Sequence, residues 1–253
     1  MLMQIALIIS ERDEAGITIK EEIEKLKLPD TIRMNFVKKD SINCENIDKE
    51  IDADIFVFAS RHASKSKIPS LTVHAPGNIG PAKFGGRENM LCVSAEPDIK
   101  KCFQLLLQKK PDGFDVIQEA THHGPFIEKP CFFIELGSDE EGWKNKDGGK
   151  AIAETIIECF SDKIPKYKTA IGIGGLHHSP NFAKIMRGNE FAISHICAKY
   201  NLEYLDENIL KQMLNRSMQP PEKIFLDWKG LGEHKERIKQ LIESSRISWE
   251  KLK

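Results

Sequence analysis

Apolar runs alternate along this chain with stretches whose apolar positions recur at helical spacing. The run 53–60, ADIFVFAS, is nearly all apolar, which is typical of a strand buried on both faces. Strands are predicted over 3–10, 31–37, 53–60, 71–75, 89–95, 114–121, 130–138 and 168–175. Helices are predicted over 14–27, 96–110 and 149–162, and the alternation continues through 189–200, 206–217, 223–230 and 233–245. This order predicts an α/β fold with a mixed, mainly parallel sheet flanked by helices.

Local sequence signals predict one further helix start and the number of domains. Ser138 is followed three residues later by Glu141, which is the spacing of a capping box and predicts a helix start at or near Ser138. A chain of 253 residues is long enough for one large domain or two small ones. Because we find no repeat, low-complexity tract or obvious linker, we expect a single domain over residues 1–253.

Composition narrows the class of protein. Hydrophobic residues make up 40% and charged residues 30%, and the net charge is −1, so any nucleic-acid contact must come from a local basic patch. The six cysteines form no C-x-x-C motif, which argues against a zinc ribbon and suits a reducing cytoplasm. The first apolar run is too short to span a membrane and lacks a basic lead-in, so we expect a cytoplasmic protein without a membrane partner.

Histidines gather where predicted strands end. Seven of the eight lie at or near such ends, and four of them form two doublets, in ATHHGP and GGLHHSP. Ligands of open α/β sheets bind beyond the carboxyl ends of strands, so the clustering predicts a site there. The seven are His62, His74, His122, His123, His177, His178 and His195.

Neighbouring residues on a strand point to opposite faces, which constrains the doublets. We therefore expect one histidine of each pair in the site and the other in a structural role, unless the chain has already turned. Gly124 and Pro125 directly follow the first pair and make a turn plausible there. Residue types alone leave open which member of each pair has which role.

A carboxylate lies within an apolar strand, at Glu135 of CFFIELG. A buried charge is costly unless it is paired, so Glu135 predicts either a salt bridge or a functional site. Imidazoles together with Glu135 and Glu190 would suit a zinc ion, and they would equally supply a general base without a metal. No H-E-x-x-H motif is present to favour zinc. The GIGG turn with Gly174 and Gly175 would offer N–H groups to a phosphate or an oxyanion, or serve as a plain tight turn.

Four motifs together resemble one family. TVHAPGN, ATHHGP, IELGSDEEGW and GIGGLHH, spread in this order over 72–178, are similar to motifs of the archaeal and plant-type D-aminoacyl-tRNA deacylases. The resemblance implies hydrolysis of the ester between a D-amino acid, such as D-tyrosine, and tRNA. It also implies an α/β fold similar to peptidyl-tRNA hydrolase and nucleoside phosphorylases, a monomer, and a zinc requirement.

Site residues follow from these motifs as hypotheses. His178 departs from the pattern, since an aromatic residue is more often expected there. The expected catalytic residues are Thr121, His122, His123 and Glu135; the expected substrate-binding residues are His74, Asn78, Gly174 and Gly175; and the expected zinc ligands are His122, His177 and Glu135.

Two other functions remain open from the sequence. One is a related hydrolase acting on peptidyl-tRNA or nucleosides, and the other is a tRNA-binding module without catalysis. The tRNA partner would rest on lysines around the pocket, so that activity would fall with salt. By themselves, the lysines of the loops favour ordinary solvated surface in a chain with 37 basic residues.

Overall fold

The computed structural model describes residues 3–161 and 165–252 and contains a large mixed sheet. Its strand order is β2-β1-β3-β7-β4-β6, and β5 pairs with the first two residues of β7, Pro130 and Cys131. All its strand pairs are parallel except β4 with β7. The strands are β1 (Ile5–Ser10), β2 (Ile32–Val37), β3 (Ile55–Ala63), β4 (Ser70–His74), β5 (Val93–Ser94), β6 (Asp115–Gln118) and β7 (Pro130–Ser138).

A second, fully parallel sheet follows in the chain, with strand order β11-β10-β8-β9. Its strands are β8 (Lys168–Ile173), β9 (Phe191–Cys197), β10 (Lys223–Asp227) and β11 (Ser248–Leu252). The largest apolar core cluster draws on both sheets, since it contains Val57 of the first and Ile193 of the second. The two sheets therefore share buried apolar packing.

Helices cover these sheets. They are α1 (Glu14–Ile23), α2 (Glu96–Lys109), α3 (Glu140–Trp143), α4 (Lys146–Ser161), α5 (Pro180–Arg187), α6 (Glu207–Asn215) and α7 (Lys235–Ser244). Asp13 caps α1 by accepting a hydrogen bond from the N–H of Gly16 at 3.0 Å. No helix in the described ranges combines the length and apolar character needed to cross a membrane.

The predicted fold class is confirmed, and several predicted boundaries need correction. The strand predicted over 89–95 is reduced to Val93–Ser94, because residues 76–92 form an irregular loop. The helix cap is Asp139 rather than Ser138, whose hydroxyl instead donates to the carbonyl of Ile68 at 2.9 Å. The following helix begins at Lys146, and residue 162, its predicted last position, lies outside the described residues.

Beyond β6 the chain leaves the first sheet and meets the second. The strand predicted over 114–121 ends at Gln118. The N–H of Ala120 then donates to the carbonyl of His177 at 2.8 Å, and the N–H of Thr121 donates to that of Ile196 at 3.0 Å. This crossing places the first histidine doublet next to the second.

Candidate active site

Glu119 is the first residue after β6 and lies among six imidazoles, which we call the imidazole cluster. They belong to His62, His74, His122, His123, His177 and His178. The Glu119 side chain is fully buried, and its Oε2 accepts a hydrogen bond at 2.7 Å from Nε2 of His177. Oε1 lies 3.1 Å from Nδ1 of His62, and Oε2 lies 3.8 Å from Nε2 of His122. One carboxylate thus joins histidines from three separate segments of the chain.

Glu135 supplies a second buried carboxylate, in the middle of β7. The sheet register aligns it with Ser60 on β3 and with Thr72 on β4. The Ser60 hydroxyl donates to Oε1 at 2.7 Å, and the Thr72 hydroxyl donates to Oε2 at 3.4 Å. Nδ1 of His62 lies 3.8 Å from Oε2. The buried charge is therefore compensated by two hydroxyls and an imidazole.

His62 lies between the two carboxylates, which favour its protonated form. Burial by itself lowers the pKa of His62, but the Glu119 and Glu135 carboxylates outweigh it and raise that pKa to about 10. The pKa of Glu119 is held well below its usual range despite burial, because His177 and His62 both favour the carboxylate. The pKa of Glu135 is also lowered despite burial, chiefly because His62 favours its carboxylate, so both buried carboxylates are held in the charged form.

His122 and His123 present matching nitrogen atoms to the cluster. Nδ1 of His122 donates to the carbonyl of Ala120 at 2.9 Å, and Nδ1 of His123 donates to that of Gly124 at 2.6 Å. Burial lowers the pKa of both rings, which keeps them neutral. A neutral ring whose Nδ1 holds the proton has its lone pair on Nε2. Nε2 of His122 is therefore available as a base or a metal ligand, whereas Nε2 of His123 accepts from Nε2 of His74 at 3.2 Å.

The expectation that only one residue of the first doublet faces the site does not hold. His123 has a φ of 46°, so the chain has turned before Gly124, and the His122 and His123 ring centroids lie 4.2 Å apart. Both rings also lie next to His74, whose Nε2 is 3.2 Å from Nε2 of His123. In the second doublet, His177 contacts Glu119, and the His178 ring lies 5.5 Å from that of His62.

Several overlapping groups of these side chains have donor atoms close enough for one metal ion. Glu119 takes part in all but one of the four groups found among the described residues. Two buried ring nitrogens within the described chain, Nε2 of His62 and Nδ1 of His74, also lack a hydrogen-bond partner. The groups are His74–His122–His123, His62–Glu119–His178, Glu119–His122–His177 and His74–Glu119–Glu135. Nitrogen and carboxylate oxygen donors of this kind suit zinc.

The three predicted zinc ligands do not all share one of these groups. His122 and His177 share a group with Glu119, whereas Glu135 shares one with His74 and Glu119. Glu190 lies elsewhere, exposed on the surface beside Lys168 at 3.2 Å. Sequence reasoning did not single out Glu119, although a carboxylate three residues before His122 at the end of an apolar strand was the available signal.

Other predicted site residues make structural contacts. The Thr121 hydroxyl lies 3.2 Å from Nδ1 of the buried His195 and accepts from the N–H of Ile196 at 3.1 Å. The Asn78 amide donates to the carbonyls of Gly85 at 2.9 Å and Arg87 at 3.3 Å, within its own loop. These contacts hold the walls of the cluster in place.

Gly174 and Gly175 form the tight turn that follows β8. Both have positive φ, at 96° and 81°, and a Cβ on either would lie 2.8 Å from an oxygen of Asp227. The N–H of Gly174 donates to the carbonyl of Cys197 at 2.8 Å. Gly175 lines a depression with Asn181 and Asp227, separate from the cavity above the histidines.

A cavity of about 440 Å³ opens above the cluster. Its lining includes His122, His123 and His177 together with Asn78 and Lys83. Aromatic side chains from two segments complete its mouth: Phe84, Tyr200 and Tyr204. A volume within the range of about 300–1,000 Å³ is typical of sites that bind small molecules or the end of a larger one.

Comparisons with known proteins agree with one another. A family profile described as D-aminoacyl-tRNA deacylase matches residues 49–250. The D-aminoacyl-tRNA deacylase of Pyrococcus furiosus is 42% identical over 212 residues, which cover 80% of this chain and 77% of that protein. The D-aminoacyl-tRNA deacylase of Archaeoglobus fulgidus is 33% identical over 253 residues, covering 92% and 90%. The crystal structure of AF0625, described as a conserved protein of unknown function, superposes with a TM-score of 0.90 at 30% identity, covering 98% and 95%.

Proposed function

The chain belongs to the D-aminoacyl-tRNA deacylase family, and we propose that it hydrolyses the ester between a D-amino acid and tRNA to release both. The observation that supports this most strongly is that His122 and His123 line one cavity together with His177, which is hydrogen-bonded to the buried Glu119. Ester hydrolysis needs a base for the attacking water and a proton for the leaving ribose oxygen. The cluster holds groups suited to both tasks.

The direction of proton transfer follows from the bonds within the cluster. A water molecule adds its oxygen to the ester carbonyl and passes a proton to Nε2 of His122, whose Nδ1 donates to the carbonyl of Ala120. The bond from the carbonyl carbon to the ribose oxygen then breaks, and the ribose oxygen takes the proton held on Nε2 of His122, which restores the neutral ring. Glu119 orients His177 through the 2.7 Å bond and stabilises positive charge that develops on the rings.

The donor set also suits a zinc ion, which we assign to His122, His177 and Glu119; Nε2 of His122 would then be a metal ligand instead of the base. When bound, zinc supplies Lewis-acid chemistry, because it makes water more acidic and polarises a carbonyl. The carbonyls that accept from Nδ1 of His122 and His123 are the partners that fix metal-binding imidazoles in proteins. Glu135, with its two hydroxyl donors, holds His62 and thereby Glu119.

The tRNA is expected to enter with its 3′ end. Lys83 at the cavity mouth is available to a phosphate, whereas Lys65 and Lys67 line a different depression beside Trp143. A cavity of about 440 Å³ accommodates an aminoacylated terminal nucleotide and excludes the acceptor helix, which would remain on the surface.

The test compares three substrates under single-turnover conditions with the full chain. We expect rapid release from D-Tyr-tRNA and slow release from L-Tyr-tRNA and from an N-blocked peptidyl-tRNA. Release from the peptidyl substrate at the rate of the D ester would instead support the peptidyl-tRNA hydrolase alternative. Binding of tRNA with no release from any of the three would support the non-catalytic module.

A further inference from the structure

Three large aromatic side chains surround the mouth of the cavity and are partly exposed to solvent. The exposed fractions are 67% for Phe84, 48% for Tyr200 and 38% for Tyr204. Single exposed aromatics are common on protein surfaces, but these three line one cavity together with His122 and His123. Their shared position above the imidazole cluster points to a ligand rather than to chance.

The backbone that carries Phe84 is fixed. The Phe84 carbonyl accepts from the N–H of Gly124 at 2.9 Å, which ties the residue to the turn that holds His123. The Asn78 amide binds the carbonyl of Gly85, and the N–H of Gly86 donates to Oε1 of Glu45 at 2.8 Å. The exposed ring is therefore held at the mouth by a backbone with little freedom to move.

Gly85 and Gly86, which follow Phe84, are closely packed against neighbouring segments. Gly85 and Gly86 have φ values of 69° and 78°, which side chains rarely adopt. A Cβ on Gly85 would lie 2.0 Å from the carbonyl oxygen of Ile42, and one on Gly86 would lie 2.6 Å from Nδ2 of Asn78. Only glycines allow the loop to pack this tightly while it presents Phe84.

The other wall of the mouth comes from the turn that follows β9. The Tyr204 ring packs on Gly80, where an added Cβ would lie 2.5 Å from a ring carbon. The Tyr200 hydroxyl lies 2.8 Å from Nδ1 of His177, so this ring is tied to the catalytic cluster. Phe84 and Tyr204, from two separate segments of the chain, therefore line one cavity, Phe84 on a hydrogen-bonded backbone and Tyr204 with its ring packed on Gly80.

We propose that Phe84 and Tyr204 bind the terminal adenine base of the tRNA 3′ end by stacking, so that the attached ester reaches the imidazoles below. The identity of the ligand rests on the proposed function. Proteins bind unpaired nucleotides chiefly by stacking the bases on exposed aromatic rings, because every base has a π face. Since the base and the aminoacyl group join the same ribose, a base held at the mouth places the aminoacyl group inside the cavity.

A binding measurement tests the stacking without requiring turnover. The probe is an RNA hairpin ending in CCA, with the fluorescent adenine analogue 2-aminopurine as its last base, titrated with the full chain. We expect quenching on binding, and a dissociation constant raised about tenfold by Phe84→Ala and by Tyr204→Ala. Phe84→Trp should retain binding. Phe36→Ala is the control, because it removes another exposed phenylalanine, 47% accessible, from the edge strand β2, which does not line the cavity. Unchanged quenching and affinity in both alanine variants would overturn the proposal.

A kinetic measurement shows whether Phe84 contacts the adenine base or the amino acid of the substrate. The substrates are the adenosine ester and the methyl ester of D-tyrosine. Phe84→Ala should raise KM for the adenosine ester about tenfold with little change in kcat, and should leave the methyl ester unaffected. Equal losses on both esters would mean that the ring contacts the amino acid, which overturns the base assignment. If wild type hydrolyses neither ester nor D-Tyr-tRNA but still quenches the hairpin, the deacylase function fails while base stacking stands.

Discussion

Nε2 of His177 lies 2.7 Å from Oε2 of Glu119, across 58 residues of sequence. The contact joins the loop after β8 in the second sheet to the end of β6 in the first. It makes one buried carboxylate the link between the two histidine doublets, since Oε2 also faces His122 at 3.8 Å. The cluster therefore depends on how the two sheets meet as well as on either doublet.

Zinc content is expected to depend on the cluster. Chain purified with zinc and dialysed should retain about one ion per molecule, and His122→Ala should lose most of it, because a lone-pair nitrogen of the donor set is removed. Metal analysis after dialysis measures this directly. His234→Ala serves as the matched control, since His234 belongs to none of the donor groups among the described residues. Equal zinc in His122→Ala and wild type would contradict the assignment.

Stability should fall in mild acid because of buried neutral histidines. Burial lowers the pKa of His195 to about 4, from an ordinary value of 6.5. Between these values the unfolded chain binds a proton that the folded chain excludes, so the free energy of unfolding decreases as the pH falls from 6.5 towards 4. Above 6.5 this loss is absent.

The contribution of His195 to that slope can be isolated. His195→Gln keeps a donor for the carbonyl of Arg216, which the ring contacts at 2.8 Å, and removes the titrating group. Urea unfolding at several pH values should show a shallower slope in the variant, by up to about 1.4 kcal/mol per pH unit. His74, whose pKa burial also lowers to about 4, should maintain part of the slope. Parallel curves for variant and wild type would show that His195 does not titrate in this window.

A buried lysine outside the active site should matter for stability alone. The side chain of Lys100 is fully buried, and its Nζ donates to the carbonyls of Gly188 and Phe191 at 2.7 Å each and to that of Met186 at 3.1 Å. These bonds hold the C-terminal end of α5 against the first residue of β9. The Gln104 amide also reaches Met186 and Gly188, so it would satisfy part of the carbonyl set without the lysine.

Lys100→Met is therefore expected to cost about 2 kcal/mol of unfolding free energy, less than the sum of all its bonds. Thermal or denaturant unfolding checks the value, and kcat at low temperature should stay within a factor of about two. Lys168→Met is the matched control, because its exposed pair with Glu190 contributes about 0–1 kcal/mol. Equal stability of the two variants would contradict the role given to Lys100.

Ionic strength should affect tRNA and small esters differently. Because Lys83 at the cavity is placed to contact a phosphate, kcat/KM for D-Tyr-tRNA should fall as salt rises. The adenosine ester of D-tyrosine, which has no phosphate, should be little affected. Lys83→Gln should reduce the salt dependence for tRNA by about one unit on a log–log plot. A rate for D-Tyr-tRNA independent of salt would contradict phosphate contacts at the mouth.

Sequence patterns sufficed for the fold class and for the gathering of the histidines at strand ends. The alternating apolar runs predicted strands, and the polar residues at their ends predicted where His62, His74 and both doublets gather. The division into two sheets was not predictable, because the same alternation of strands and helices is produced by one sheet or by two.

The details of the site depended on local backbone geometry and on long-range contacts. The expectation about His122 and His123 missed the positive φ of His123, which turns both rings to the same side. Glu119 gains its role only from contact with His62 and His177, which lie far away in the sequence. Asn78 lies at the cavity as expected, but its amide is engaged by its own loop, which no residue pattern indicated.

The most direct test of the account is the rate at which the wild type and Glu119→Gln release D-tyrosine and L-tyrosine from tRNA, with Glu190→Gln as the control. We predict that wild type releases D-tyrosine much faster than L-tyrosine, that Glu119→Gln slows release of D-tyrosine by about 100-fold or more, and that the exposed Glu190 can be changed without effect. Equal release of the two enantiomers by wild type, or a full rate in folded Glu119→Gln, would contradict the account.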